Sequence, residues 1–305
     1  MTTEAVDIPT GAPRFDTARP FFAHPLVLLP IGFVLVVAGA VLPVIAWNLF
    51  QPQGPGFMRT LVGLSSGFGA LAAYFAFRRW IDPAPGARVD GGRTATELGF
   101  GILIGVAIFC IVTAIAAVLG GFRIIGTRGW GDIWLWLGIA LSSGMAEEAV
   151  FRGVIQRKLE AMFGTWAALV ATSAFFGLAH LMNPGATMFA AFAIACEAGV
   201  MLGAAYLLTR RLWLPIGIHM GWNFTQGWVF SIPVSGSPPP KGLLETQLTG
   251  PEWLTGGAFG LEASFIALVV ATGLGIAFLV LAHRKGEFRP PRWRRSPAEI
   301  AQTNE

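Results

Sequence analysis

The chain has 305 residues, of which 54% are hydrophobic and 12% are charged. Because an ordinary soluble domain carries about twice that charged fraction, the composition excludes a soluble globular protein and predicts an all-α, polytopic membrane protein. The net charge of +4 does not indicate a nucleic-acid partner, since the basic residues flank apolar segments and form no patch interleaved with aromatic residues.

The N-terminal residues 1–24 are polar and contain prolines, and the apolar run after them is too long for a cleavable signal sequence. We therefore expect residues 1–24 to be a cytoplasmic tail and the first apolar segment to remain as a membrane anchor. The membrane domain then covers residues 25–283, and a basic, proline-broken tail follows at residues 284–305. We expect that tail to be disordered or to lie on the lipid headgroups.

A helix needs about 20 mostly apolar residues to cross the hydrocarbon core of a bilayer. By that measure the sequence predicts a bundle of about eight transmembrane helices, at residues 26–49, 57–77, 98–119, 132–157, 165–182, 187–208, 212–230 and 260–283. The connecting loops are short except for residues 78–97 and 231–259. The second of these is expected to be an extramembrane excursion with little regular structure, because it is rich in Pro and Gly.

The positions of the arginines and lysines predict the orientation of the bundle. If the N-terminus is cytoplasmic, most basic residues fall in cytoplasmic segments, among them Arg152, Arg157 and Lys158 near the end of the fourth span. The other side of the membrane keeps Arg59, Arg123, Arg128 and Lys241. This bias follows the positive-inside rule and predicts that the N- and C-termini are both cytoplasmic.

Two adjacent acids, Glu147 and Glu148, interrupt the apolar fourth span in the string SGMAEEAVFRGVIQ. Ionisable groups at this depth are costly, and they usually line a cavity or a transport path. Glu148 and Arg152 are four residues apart and share a helical face, so we expect an ion pair between them. Glu147 is rotated by about 100° from Glu148 and is expected to face the site instead.

Polar groups on three later spans are candidates for the same site. His180 ends the string TSAFFGLAH, with Phe176 four residues before it on the same face. His219 and Asn223 share one face of the helix that contains IHMGWNF, and Glu197 is a further acid on the sixth span. The alternative interpretation is structural, because such side chains also serve as interhelical hydrogen-bonding or core residues. Glu197 either pairs with another helix or lines the same cavity.

Several solutions to proteolysis inside a bilayer are excluded by their motifs. The zinc-binding string H-E-x-x-H is absent, because the residues after both intramembrane histidines do not fit it. The string GWGD at residues 129–132 matches an aspartyl-protease motif, but no second aspartate lies within a predicted span. What remains is E-E-x-x-x-R, F-x-x-x-H and H-x-x-x-N, in that order on separate helices.

These three ordered motifs resemble those of the CPBP family of intramembrane proteases, which includes the type II CAAX prenyl endopeptidases and the lysostaphin-resistance-like proteins. The resemblance covers about residues 97–230. The string TRRLW before the last motif replaces the more usual Thr-Gly-Ser-Leu of the family. The motif residues in this chain are Glu147, Glu148, Arg152, Phe176, His180, His219 and Asn223.

The resemblance implies a cavity open to the cytoplasmic side, in which a prenylated or otherwise hydrophobic C-terminal segment is cleaved. Glu147 would be the general base that activates a water molecule, and His180 would position that water. His219 and Asn223 would stabilise the oxyanion of the tetrahedral intermediate. Such donors are most effective where bulk water is scarce.

The same resemblance implies supporting roles for two residues and leaves a metal ion open. Glu148 with Arg152 would fix the helix and the local charge. A Zn²⁺ ion held by Glu147, His180 and His219 is an alternative that the sequence leaves open, because catalytic zinc takes three protein ligands and a water. Otherwise no cofactor is implied.

Two other classes of function stay open from the sequence. A transporter or channel could use the buried carboxylates as a proton or cation relay, although no internal repeat of the kind found in many transporters is visible. A non-catalytic immunity or scaffold protein could keep the fold and the motifs. The expected partners are a hydrophobic or lipidated protein or peptide and the membrane lipids, in a bacterial inner membrane.

Overall fold

The computed structural model of the chain describes residues 24–50, 56–82, 93–238 and 241–296. The predictions for residues 1–23 of the N-terminal tail and for residues 83–92 of the loop at 78–97 lie outside these residues. Every range that the sequence predicted to be a membrane span is helical. The elements are α1 (Pro25–Phe50), α2 (Gly56–Ala76), α3 (Thr94–Val118), β1 (Phe122–Thr127), α4 (Ile133–Glu148), α5 (Arg157–Ala179), α6 (Met188–Ile194), α7 (Met201–Thr209), α8 (Trp213–Phe224), β2 (Leu244–Leu248), α9 (Glu252–Thr255) and α10 (Phe265–Arg284).

Several helices continue as π-helical segments, in which the hydrogen bonds span five residues instead of four. These segments follow α2, α4, α6 and α8, at Phe77–Ile81, Ala149–Gln156, Ala195–Val200 and Thr225–Val229. Segments of this kind occur often at functional sites because they rotate side chains away from the regular helical face. Two of them carry Arg152 and Glu197, which are candidate site residues.

The chain is an all-α polytopic membrane protein, as the sequence predicted. Six stretches of the described residues are long and apolar enough to cross a membrane by length and composition. One of them, Ile133–Met182, has 50 residues, which is about 75 Å of helix and more than twice the thickness of a bilayer core. Its path breaks at Gly164, where φ is 80° and ψ is 170°. The count of eight crossings and the cytoplasmic side of both termini stay predictions.

Glycines bring α3 and α8 into close contact, and this contact orients α8. A Cβ atom on Gly101 would lie 2.5 Å from the carbonyl oxygen of Leu214, and one on Gly217 would lie 2.4 Å from that of Leu98. Small residues of this kind allow the two backbones to touch. His219 is two residues from Gly217, hence about 200° away around the helix. It therefore projects from the opposite side of α8, away from α3.

The segment expected to be an irregular excursion at residues 231–259 is more ordered than predicted. Its strand β2 pairs antiparallel with β1, with Phe122 opposite Leu248. Phe259 is 1% exposed and packs in one cluster with Phe176 of α5. Outside β2 and α9 the described part of the segment has little regular structure, as expected, but it is packed, because the apolar residues at its end are buried in the helix bundle.

The described part of the C-terminal tail is also ordered, which contradicts disorder for these residues, while a position on the lipid headgroups stays a prediction. Its residues 284–296 lie against the break in α5: the backbone N–H of Arg289 donates to Thr165 Oγ1 at 2.9 Å, and Arg295 Nη2 donates to the Glu160 carbonyl at 3.0 Å. Gly164 permits this contact, since a Cβ there would lie 2.8 Å from the backbone nitrogen of Pro291. Basic residues of the tail thus find acceptors on the protein itself.

A basic cluster, defined by Asp82, Arg78, Arg157 and Lys158, joins the end of the α2 segment to the start of α5. The Asp82 carboxylate accepts from Arg78 at 3.1 Å, from Lys158 at 2.6 Å and also from Arg157. Burial alone would raise the pKa of Asp82, but the charges of Arg157 and Lys158 outweigh it and hold the pKa below its ordinary value. The cluster holds two helix ends together.

Candidate active site

The three sequence motifs meet around one aromatic ring, that of Phe176 on α5. The Phe176 ring centroid lies 4.7 Å from that of His180 and 6.4 Å from that of His219. The guanidinium carbon of Arg152 lies 4.8 Å from the same centroid. Phe176 is only 2% exposed, so it forms a buried wall to which α4, α5 and α8 each bring one motif.

Glu148 connects two of the motifs directly. Its Oε1 accepts from Arg152 Nη1 at 2.7 Å and lies 2.9 Å from His219 Nδ1. The four-residue spacing predicted the ion pair with Arg152, but it did not predict the contact with His219. Arg152 also donates to the backbone carbonyl of Ala198 at 2.9 Å, which ties α4 to the π-helical segment after α6.

The sequence counted Arg152 among the basic residues of the cytoplasmic segments, and the structure differs in that the side chain is buried. The side chains of Arg152 and Glu148 are both 0% exposed, so the arginine is enclosed by the bundle and not solvated at a helix end. A buried charge is tolerated when it is paired and hydrogen-bonded. Arg152 meets this condition through Glu148 and the carbonyl groups of the next helix.

Glu147 occupies a different environment from its neighbour. Its side chain is half-buried, and it is close enough to Arg152 and His219 to interact electrostatically with both. Among the residues that the structure describes, none makes a hydrogen bond to its carboxylate, and Glu147 is not one of those that line the nearby cavity. The predicted ion pair with Arg152 is therefore formed by Glu148 and not by Glu147.

A cavity lies beside Phe176, between α5, α8 and the π-helical segment after α6. Its apolar walls include Ile218 and Trp222. The polar residues that line it are His180, Glu197, His219, Asn223, Ser235 and Glu262. The structure thus brings His180, His219 and Asn223 into one cavity and places Glu197 there as well, whereas Glu147 and Glu148 stand beside it.

Hydrogen bonds hold His180 and Asn223 in defined orientations. His180 Nδ1 lies 2.7 Å from the carbonyl oxygen of Phe176, and because a carbonyl only accepts, Nδ1 must carry the proton. The Nε2 atom of His180 is then a hydrogen-bond acceptor. Asn223 Nδ2 donates to Ser143 Oγ at 2.9 Å, and Ser143 donates in turn to the carbonyl of Ile139.

Sequence reasoning missed three residues of this site. Ser143 precedes Glu147 by four positions on the same helix, so the spacing that linked Glu148 with Arg152 could have identified it. Ser235 comes from the segment that was expected to be extramembrane, and Glu262 comes from the first residues of the eighth predicted span. Glu262 is 3% exposed and accepts a hydrogen bond from the backbone N–H of Ser235. No local sequence pattern predicts this contact, because the two residues are 27 positions apart.

The fold and the cavity define a polytopic membrane protein with a buried site of carboxylate, histidine and amide groups. Residues 129–225 match the family model described as type II CAAX prenyl endopeptidase, Rce1-like. No curated protein and no solved structure matches the chain. The match confirms the resemblance found in the motifs: the chain carries an Rce1-like domain at residues 129–225, and that domain contains all the motif residues from Glu147 to Asn223.

Proposed function

We propose that the chain is an intramembrane endopeptidase that cleaves near the C-terminus of a hydrophobic or prenylated protein or peptide, with water as the nucleophile. The observation that carries the proposal is the meeting of three motif segments around Phe176, within a domain that matches a family of prenyl endopeptidases. The bacterial inner membrane as its location belongs to the same proposal.

Glu147 is the carboxylate best suited to activate water. Glu148 is fully buried, and its Oε1 already accepts from Arg152 and contacts His219. Glu147 is partly exposed and outside this ion pair. A general base needs an accessible lone pair within hydrogen-bond reach of the water, and its contribution is about 10²- to 10⁴-fold in rate. Glu147 meets the condition of access and Glu148 does not.

His180 is suited to orient the attacking water. Its Nδ1 proton is directed to the Phe176 carbonyl, so Nε2 offers an acceptor to a water hydrogen. With one hydrogen bonded to His180 and the other directed to Glu147, the water oxygen keeps a lone pair for attack on the scissile carbonyl carbon. The water proton then passes to Glu147 and from Glu147 to the leaving amine.

His219 and Asn223 are suited to stabilise the oxyanion that forms in this attack. Glu148 holds the Nδ1 side of His219, so a ring that carries both protons donates from Nε2. Asn223 uses one amide hydrogen on Ser143 and keeps a second one. Removing one such donor from an oxyanion site costs about 10²- to 10³-fold in kcat in other hydrolases.

A zinc ion receives no support from the described geometry. Within the ranges that the structure describes, no three His, Cys, Asp or Glu side chains are placed to bind one metal ion. We therefore route no step through a metal, and a chelator serves as the test of the zinc alternative.

The experiment is cleavage of a hydrophobic C-terminal peptide, with and without a farnesyl group, by the purified chain in lipid vesicles. We expect cleavage that persists in a chelator and is lost in Glu147→Ala, while Glu252→Gln, an exposed acid on α9, keeps full activity. The ratio between the two peptides decides whether prenylation matters. Equal cleavage by Glu147→Ala and the natural protein would refute the proposal.

A proton or cation relay is the second candidate function. The observation that favours it is the presence of two further acids, Glu197 and Glu262, in the same cavity. Substrate-dependent flux in the same vesicles, without peptide cleavage, would support it. A cellular phenotype that survives Glu147→Ala would instead support the non-catalytic scaffold.

A further inference from the structure

We propose that Glu197 and Glu262 form an acidic subsite within the cavity and that this subsite binds the ammonium group of a lysine side chain in the substrate. The proposal rests on the proposed endopeptidase function, because the lysine is taken to belong to the cleaved segment. It adds a specificity that neither the motifs nor the family match contains.

The two acids reach the cavity from separate parts of the chain. Glu197 lies on the π-helical segment after α6, and Glu262 lies in a short turn before α10. Their residues are 2% and 3% exposed, respectively, and both line the cavity together with His180, His219 and Asn223. A ligand of these acids therefore lies in the same cavity as His180, His219 and Asn223, three of the residues proposed to act on the peptide bond.

The protein supplies a hydrogen-bond donor to Glu262 but leaves one carboxylate oxygen of Glu197 without a donor. Glu262 accepts from the Ser235 backbone N–H and interacts with the side chain of Gln226. Glu197 Oε2 is fully enclosed and makes no hydrogen bond with any residue that the structure describes. The two carboxyl groups also interact electrostatically with each other. A buried carboxyl group of this kind either takes up a proton or needs a partner that supplies donors or charge.

Among the described residues of the cavity wall, the histidine His219 acts electrostatically on Glu262, and its Nδ1 is already held by Glu148, so Glu197 still lacks a partner. The described residues that line the cavity include no lysine and no arginine. Arg152 is the basic residue beside it, and that side chain is already bound to Glu148. The cavity therefore has an excess of acidic groups, and it favours a ligand with positive charge over one with a carboxylate.

A lysine side chain fits both parts of this cavity. Its ammonium group is a compact charge with three donors, enough to serve Glu197 and Glu262 at once. Its four-carbon stem can lie on apolar surface, which Met201, Leu202 and Ile218 provide in the cavity. A metal ion fits less well, because no three suitable ligands are placed together among the described residues.

The test uses sets of peptides in which a single residue is varied. The varied position is, in turn, each of the two residues before and each of the two residues after the cleaved bond. That position carries lysine, norleucine or glutamate. Lysine and norleucine share the same four-carbon chain and differ in the positive charge, whereas glutamate carries a negative charge. At one of these positions we expect kcat/KM to be roughly 10- to 100-fold higher for lysine than for norleucine, as for hydrogen bonds to charged groups. Glutamate should give the lowest value.

Matched variants connect this preference to the two acids. Glu197→Gln and Glu262→Gln keep the shape and should reduce the ratio of lysine to norleucine to near one, whereas Glu252→Gln should keep it. Equal kcat/KM for lysine and norleucine at every position in the natural protein would overturn the subsite. So would a preference for lysine that both glutamine variants retain.

Binding measurements separate failure of the subsite from failure of the enzyme. The dissociation constants of the same peptides for Glu147→Gln, measured in the same vesicles, should show the same order. If no peptide is cleaved but the lysine peptide binds more tightly, the subsite stands and the proposed function fails. Cleavage without preference in rate or binding contradicts the subsite alone. Absence of both cleavage and preference contradicts both.

Discussion

The site cluster, formed by Glu148, Arg152 and His219, and the basic cluster around Asp82 use similar residues for different purposes. In the site cluster one carboxylate oxygen serves an arginine and a histidine, and the acid and the arginine are fully buried. The histidine also lines the cavity. The pairing therefore orients a group that faces a space where a ligand can bind.

The basic cluster shows the opposite arrangement. One Asp82 carboxylate takes three basic side chains, from Arg78, Arg157 and Lys158. None of these four residues lines the described cavity, and together they join the ends of two helices. The comparison teaches that a buried ion pair indicates function when it orients a further polar group towards a cavity, and otherwise serves to hold helices together.

The largest expected difference between the clusters is in stability. Arg152→Met leaves Glu148 buried without its main partner, and breaking a buried pair in this way costs about 3–5 kcal/mol. Arg78→Met leaves Asp82 with two cations and should cost clearly less. The free energy of unfolding in detergent, with Arg79→Met as the exposed control, measures both. Equal losses for Arg152→Met and Arg78→Met would remove the distinction.

The next difference concerns activity. Glu148→Gln keeps the shape of the side chain but removes the negative charge. The variant then no longer stabilises the protonated form of His219 or fixes the orientation of its ring. We expect kcat to fall by about 10²- to 10⁴-fold, by analogy with the orienting aspartate of a serine protease triad. Asp82→Asn should leave kcat unchanged because that residue lies outside the cavity. Normal kcat in Glu148→Gln would show that the contact with His219 is only structural.

The smallest expected difference is a pH dependence of stability in the basic cluster. The pKa of Asp82 is lower in the folded state than in the unfolded state. Its stabilisation is therefore complete above the ordinary aspartate pKa of about 4 and is lost as the pH falls through the folded value. The melting temperature of Asp82→Asn should lie below that of the natural protein at pH 7, and the gap should be smaller at pH 3. An equal gap at both pH values would contradict this.

The sequence predicted the helices and the local pairs, because both depend on short-range periodicity. Apolar runs of sufficient length located every described helical span, and the four-residue spacing located the pair of Glu148 with Arg152. The order of the motifs also identified the family domain. These features need only the geometry of a single helix.

The rest depends on how distant segments pack, which no short pattern encodes. The contact of Glu148 with His219 joins residues 71 positions apart, and it requires the rotation that glycines impose on α8. Glu262 reaches the cavity only because Phe259 draws its segment into the core. Residues 284–296 of the C-terminal tail are ordered because the break at Gly164 exposes partners for them. In each case contacts between residues far apart in the chain decide the arrangement, and a short pattern does not contain them.

The central claim is that Glu147, not Glu148, activates the water, and kcat of Glu147→Gln on a hydrophobic C-terminal peptide tests it most directly. Glutamine keeps the size of the side chain and removes its basicity. The account predicts a loss of at least about 100-fold in kcat, with an unchanged melting temperature and an unchanged dissociation constant for the peptide. A kcat within a few-fold of that of the natural protein would contradict it.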